Sequence, residues 1–241
     1  MRTFTCTTIA AALMALSGCA QAGPAGTVER AEVENIIQDY LLKNPEVIRE
    51  ALIELDKKED RASIAAVSDA LFKDPRDVSL GPQDAKVTIV EFFDYNCGYC
   101  KQSSLWLKEA MEKYPNDVRV VFKELPILDG RTQTSRNAAK VALAAARQGK
   151  YKSLHFTLME QSSLSEENVL RLAEEAGLDM AKLKEDMTDS GMDQHLEDIL
   201  LLANEIPSLT GTPFFVINDD FIAGANPVKL DALLESALEE S

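Results

Sequence analysis

The sequence predicts an α/β fold in which a β-α-β unit and a β-β-α unit are separated by a block of helices, with a helical extension ahead of both. Three observations carry this. Two runs rich in apolar residues, 87–93 (VTIVEFF) and 117–124 (DVRVVFKE), flank a helix-like stretch at 101–114. Short apolar runs of this kind suit strands covered on both faces. Residues 131–204 hold almost no strand signal and instead carry Ala-rich and Leu-rich helical patterns. Strand character returns at 214–217 and 221–223 around Asn218-Asp219-Asp220, which predicts a hairpin.

Taken in order, the first 23 residues read as a secretion leader, with one basic residue (Arg2), an apolar core from Ile9 to Leu16, and small residues after it. That core is too short to span a bilayer as a helix. Two cuts compete. Leu16-Ser17-Gly18-Cys19 fits a lipobox, which ends the leader at residue 18 and places a lipid on Cys19; Ala20-Gln21-Ala22 is an A-x-A signal that discards Cys19. Residues 19–27 form a tether rich in Ala and Gly. Residues 28–73 form an extension in which Val33, Ile36, Ile37, Tyr40 and Leu41 fall on one helical stripe. Asn44-Pro45-Glu46 stops that helix and starts the next, since Asn44 caps and Pro45 suits a first helical position. The stripe then continues through Val47, Ile48, Ala51, Leu52 and Leu55. An apolar stripe needs a surface to bury it, either its own domain or copies of itself. Residues 74–85, with two prolines and a glycine, read as a linker, and residues 86–241 as the second unit. There, helices are expected at 138–147, 151–160, 166–176, 180–189 and 192–204, with a closing helix at 227–238 that begins on Asn226-Pro227.

The chemistry concentrates in Cys97-Gly98-Tyr99-Cys100, at the junction of the first strand and its helix. Unpaired backbone N–H groups and the helix dipole there favour a thiolate on the first cysteine. The second lies one turn on, close enough to attack a disulfide formed by the first. The chain has four cysteines, and Cys6 and Cys19 fall in or beside the leader. Under either cut, Cys97 and Cys100 are the ones left to pair with each other. No second CxxC supplies a four-thiolate zinc site, and His155 and His195 are distant in sequence. A net charge of −15 and a pI near 4.6 exclude nucleic acid as a partner. A hydrophobic fraction of 46% fits a folded core, and nothing after the leader is long and apolar enough to span a membrane.

FFDYNCGYCK, the KELPIL run at 123–128 and GTPFFVIN at 211–218 together resemble the DsbA family of bacterial thiol-disulfide oxidoreductases. Residues 31–72 resemble the N-terminal oligomerisation segment of the copper-sensitivity-suppressor proteins called ScsC. The resemblance implies a thioredoxin fold with a helical insertion, 131–204, located in the periplasm of a Gram-negative bacterium. It makes Cys97 the exposed nucleophile and Cys100 the residue that resolves the mixed disulfide. Pro213 matches the family's cis-proline beside the cysteine pair. Gly98, Tyr99, Thr212 and Pro213 are then the substrate-contacting positions. Glu91 matches an acidic residue under the site, where burial raises a carboxyl pKa and suits it to relay the proton of Cys100. The redox-active Cys97–Cys100 disulfide takes the place of a cofactor, and no resident metal is implied.

The departures are informative. The oxidase DsbA carries Pro-His between its cysteines and Val before the cis-proline; this chain has Gly-Tyr and Thr, as in the isomerases DsbC and DsbG. Without the histidine the pair is expected to be less oxidising. The implied partners are unfolded or misoxidised secreted proteins, a membrane thiol reductase that keeps the pair reduced, and further copies of the chain through residues 28–72. A dithiol oxidase, a Cu(I)-sequestering protein using the two thiolates, and a lipid-anchored holdase are the competing readings.

Overall fold

The computed structural model describes residues 29–240. The expected leader, its two cuts, the lipidation of Cys19 and the tether at 19–27 lie outside the described residues. The chain divides into two compact units between Leu52 and Ile53. In the first, α1 (Arg30–Lys43) is followed by the opening turns of α2 (Glu46–Ala66). Asn44 closes α1 as the sequence predicts, its side-chain amide donating to the Tyr40 carbonyl at 2.8 Å. No residue of α1 is buried, and Val33, Ile36, Ile37, Tyr40, Ile48 and Leu52 are exposed.

The second unit begins with the rest of α2 and α3 (Ser68–Phe72), then β1 (Val78–Leu80), β2 (Val87–Phe93), α4 (Gly98–Lys113) and β3 (Val118–Glu124). The insertion follows as α5 (Asp129–Thr132), α6 (Ser135–Arg147), α7 (Tyr151–Met159), α8 (Glu166–Glu175), α9 (Met180–Asp186) and α10 (Ser190–Asn204). β4 (Phe214–Ile217), β5 (Asp220–Ala223) and α11 (Pro227–Glu240) close the fold. The sheet order is β1-β3-β2-β4-β5, with β2 and β3 parallel and the other pairs antiparallel. Both faces of β2 are covered. Val87, Ile89 and Phe93 join the core beneath α4, the insertion and α11, while Val90 and Phe92 pack with Phe214, Val216 and Ile199 on the other face. This double burial explains why β2 reads as a continuous apolar run.

Two expected boundaries move. The linker at 74–85 is in part a strand: β1 pairs with β3, Ser79 opposite Val121. It is held there because the buried Lys123 side chain needs an acidic partner, and the Asp77 carboxylate, its side chain 1% exposed, pairs with it. His195 Nε2 lies 3.2 Å from the same carboxylate. Gly81 then turns the chain at φ +100°, where a Cβ would sit 2.4 Å from the Val118 carbonyl. The helical extension expected at 28–73 is likewise divided. Ile64 and Leu71 are 2% and 0% exposed and lie in the core on the second face of the sheet, so residues 53–73 belong to the catalytic unit. The charge run at 56–61 hides this continuation from a sequence reading, although Arg61 pairs with Asp220 at the start of β5.

Candidate active site

Cys97 is the N-cap of α4, in extended conformation at φ −78° and ψ 118°, and Cys100 lies in the first turn. Both are free thiols. The loop that delivers them is built on Asp94, which is 2% exposed. Its carboxylate accepts from the backbone N–H of Asn96 at 2.8 Å and of Leu128 at 2.9 Å, and from the Ser135 hydroxyl at 2.7 Å. The Asn96 amide in turn donates to Thr134 at 2.9 Å and Ser135 at 3.0 Å. The start of α6 thereby fixes the turn that aims Cys97. On the other side, Lys101 donates to the Gln161 carbonyl at 2.6 Å and ties α4 to the end of α7.

The Thr212–Pro213 peptide is cis, and the Thr212 carbonyl lies 3.2 Å from Cys97 Sγ, close enough to accept from the thiol. The fold therefore brings together residues 115 positions apart. The resemblance implies an exposed nucleophile, but Cys97 is only 9% exposed with this segment beside it, while Cys100 is fully buried. Gly98 and Tyr99 are the open positions, Tyr99 at 65%.

The two sulfurs have opposite electrostatics. Cys97 is brought down to about 5, first by a hydrogen bond from the Cys100 thiol and then by the Thr212 side-chain hydroxyl and the backbone amides of Cys100 and Tyr99, against an opposing effect of burial. Cys100 is pushed far above the ordinary thiol range, chiefly by burial, then by its bond to Cys97 and the charge of Glu91. One thiolate and one retained thiol is the asymmetry that disulfide exchange needs.

Glu91 is 0% exposed on β2 beneath the pair, and burial raises its carboxyl to about 8. Ser103 Oγ lies 3.1 Å from Glu91 Oε1, whereas Oε2 has no hydrogen-bond partner. Further in, Tyr95 and Tyr151 converge on Glu124 at 3.1 and 2.8 Å, and Tyr95 meets His155 Nδ1 at 3.0 Å. Burial lifts Glu124 well above the carboxylate range and lowers His155 to about 3. His155 is therefore uncharged near neutrality, and Glu124 is biased toward its protonated form. The sequence reading missed Asp94, Asn96 and Ser103. An Asp two residues before an Asn, ahead of a helix start, is an Asx-turn signal that marks the first two. Ser103 has no such signal. Among the described residues no group of three or more His, Cys, Asp or Glu side chains is assembled to hold a metal ion. A Cu(I) ion would meet Cys97 and Cys100 as a bare sulfur pair.

Comparison with known proteins agrees with this geometry. Residues 88–235 match the family model of the DSBA-like thioredoxin domain, and residues 29–62 match that of the copper resistance protein ScsC N-terminal domain. A thioredoxin-like oxidoreductase from Silicibacter pomeroyi DSS-3 superposes with a TM-score of 0.66 at 38% identity, covering 72% of this chain and 98% of that one. A linker-deletion mutant of Proteus mirabilis ScsC gives 0.67 at 28% identity, covering 91% and 100%. Among curated proteins, the Na(+)/H(+) antiporter NhaA 3 of Salinispora tropica is 36% identical over 145 residues, 59% of this chain. The chain spans only 22% of that relative's length, and no helix among the described residues is long and apolar enough to cross a membrane. With the family model covering more than half of its length and the sulfur pair, the cis Thr-Pro and the helical insertion in their places, the chain belongs to the DSBA-like thioredoxin domain family.

Proposed function

We propose that the chain is a periplasmic thiol-disulfide oxidoreductase that reshuffles or reduces disulfides of misoxidised secreted proteins. The Cys97 thiolate attacks a substrate disulfide, forms a mixed disulfide and releases one substrate thiolate. In isomerisation a substrate thiolate then attacks back and leaves Cys97 reduced, with no net redox change. In reduction Cys100 attacks Cys97 instead, the substrate leaves as a dithiol, and a membrane thiol reductase restores the pair. Tyr99, Gly98 and the Thr212–Pro213 backbone form the surface that the substrate chain meets.

The observation that carries this reading is geometric: Cys97 caps α4 with its Sγ 3.2 Å from the carbonyl of the cis Thr212–Pro213 peptide, and Gly98-Tyr99 rather than a histidine separates it from the buried Cys100, an arrangement that brings the Cys97 thiol down to about 5. Reference values are about 7 for thioredoxin and about 3.5 for the strongly oxidising DsbA. A stabilised thiolate both attacks a disulfide and leaves again readily. The test is recovery of activity from ribonuclease with scrambled disulfides, using catalytic amounts of the reduced protein. Recovery by the reduced form supports isomerisation. Faster oxidation of fully reduced ribonuclease by the disulfide form, without reshuffling, identifies a dithiol oxidase.

The exposed apolar residues of α1 and early α2 support a homo-oligomer through the first unit. Light scattering is expected to give a multiple of the protomer mass for the intact chain and the protomer mass after deletion of residues 29–52. A monomer with those residues in place rejects the assembly. The deletion has to stop before Ile53, because Ile64 and Leu71 are core residues of the catalytic unit.

A further inference from the structure

We propose that Ser103 is a positioning residue whose hydroxyl holds one oxygen of the Glu91 carboxylate and so governs when Glu91 takes up the proton of Cys100. The inference rests on the exchange chemistry proposed above and concerns its resolving step.

Ser103 is 2% exposed, on α4 one turn beyond Cys100. Its hydroxyl has two acceptors at equal reach, Glu91 Oε1 at 3.1 Å and the Cys100 carbonyl at 3.1 Å. A hydroxyl has one proton and two lone pairs, so it fully serves one acceptor at a time. When Glu91 is ionised, Ser103 donates to it. When Glu91 is protonated on Oε2, Oε1 becomes a weaker acceptor and the hydroxyl turns to the Cys100 carbonyl, a local bond open to helical serines. Glu91 Oε2 remains unpartnered and buried, available to take a proton. The charged or titratable groups acting on this site are Cys97 and Cys100 from the start of α4, Tyr95 from the loop before it and Glu124 from β3. β4 places only Phe215 opposite Glu91.

In the resolving step the Cys100 proton is lost to the Glu91 carboxylate, whose charge acts on Cys100 without a direct hydrogen bond between them, and Cys100 Sγ attacks Cys97 Sγ. The Cys97–Cys100 bond forms as the bond from Cys97 to the substrate sulfur breaks. The substrate leaves as a thiolate, reduced by the two electrons the cysteines lose, and Glu91 later returns its proton to solvent. Only ionised Glu91 accepts, so the rate rises with pH through the Glu91 titration.

The test uses the full chain carrying glutathione on Cys97, with glutathione release followed over pH. The wild-type rate is expected to bend near pH 8. Ser103→Ala removes the donor to the carboxylate and shifts the bend upward by about one pH unit, and Ser103→Thr restores it. The carboxyl carbon resonance of Glu91, titrated by NMR in the reduced protein, follows the same shift independently of turnover and shows that the variant is folded. An unmoved bend and resonance in Ser103→Ala, with the bend lost in Glu91→Gln, overturns the role of Ser103 and leaves the relay standing. A bend that survives Glu91→Gln overturns both. Failure of the wild type to release glutathione at any pH contradicts the proposed function itself.

Discussion

Cys97→Ala is expected to abolish disulfide exchange, with the rate falling about a thousandfold or more toward the uncatalysed reaction. Cys100→Ser is expected to do something different. It retains a nucleophile at the start of α4 but lacks the sulfur that ends the encounter, so mixed disulfides with substrate accumulate. The difference follows from placement. Cys97 meets the cis Thr-Pro segment and the open Gly98-Tyr99 edge, whereas Cys100 is sealed behind it. Gel electrophoresis without reductant, followed by mass spectrometry of the captured adducts, reads both outcomes. Exchange that persists in Cys97→Ala contradicts the assignment.

The second large effect is on how the reduction potential depends on pH. Reducing the disulfide takes up two electrons and as many protons as the reduced pair holds. Below the Cys97 titration at about 5 both sulfurs are protonated. Two protons are then taken up, and the potential falls by about 59 mV per pH unit, twice the 30 mV tenfold step of a two-electron couple. Above it Cys97 is a thiolate while Cys100, raised by burial, keeps its proton. One proton is taken up and the slope halves to about 30 mV per pH unit. The measurement is best made in Glu91→Gln, because Glu91 itself titrates near 8 and feels the charge on Cys97. The thiolate also shapes stability. A depressed acid stabilises the reduced fold above its folded value and loses that contribution as pH falls through it. The reduced form therefore gains on the oxidised form as pH rises from about 5 to the ordinary thiol range.

Much of this architecture is legible in the sequence because its signals are local. Val87–Phe93 is apolar on both faces, Asn44-Pro45 punctuates two helices, and Asn226-Pro227 opens the last one. The Lys229 N–H indeed finds the Asn226 side chain at 3.1 Å. What escaped depends on distant partners. Val78–Leu80 is only three residues long and becomes a strand because β3 is there to pair with it and Lys123 is there to hold Asp77. Ile64 and Leu71 follow a run of six charged residues and are core because a sheet face waits for them.

The site divides in the same way. The CxxC and Thr-Pro motifs are legible since their chemistry is carried by a few fixed residue types. Glu91 stands out as an acid in an apolar strand. Ser103, Asp94 and Asn96 are common polar residues whose roles exist only once Glu91, Ser135 and Leu128 surround them. The limited exposure of Cys97 likewise follows from a segment 115 residues downstream.

Ultraviolet titration of the thiolate in the reduced protein, with alkylation mapping at each pH, tests the central claim most directly. A single thiolate appearing near pH 5 and assigned to Cys97, with Cys100 unmodified throughout, is the predicted result. Two thiols that ionise together in the ordinary range near 9 would contradict it.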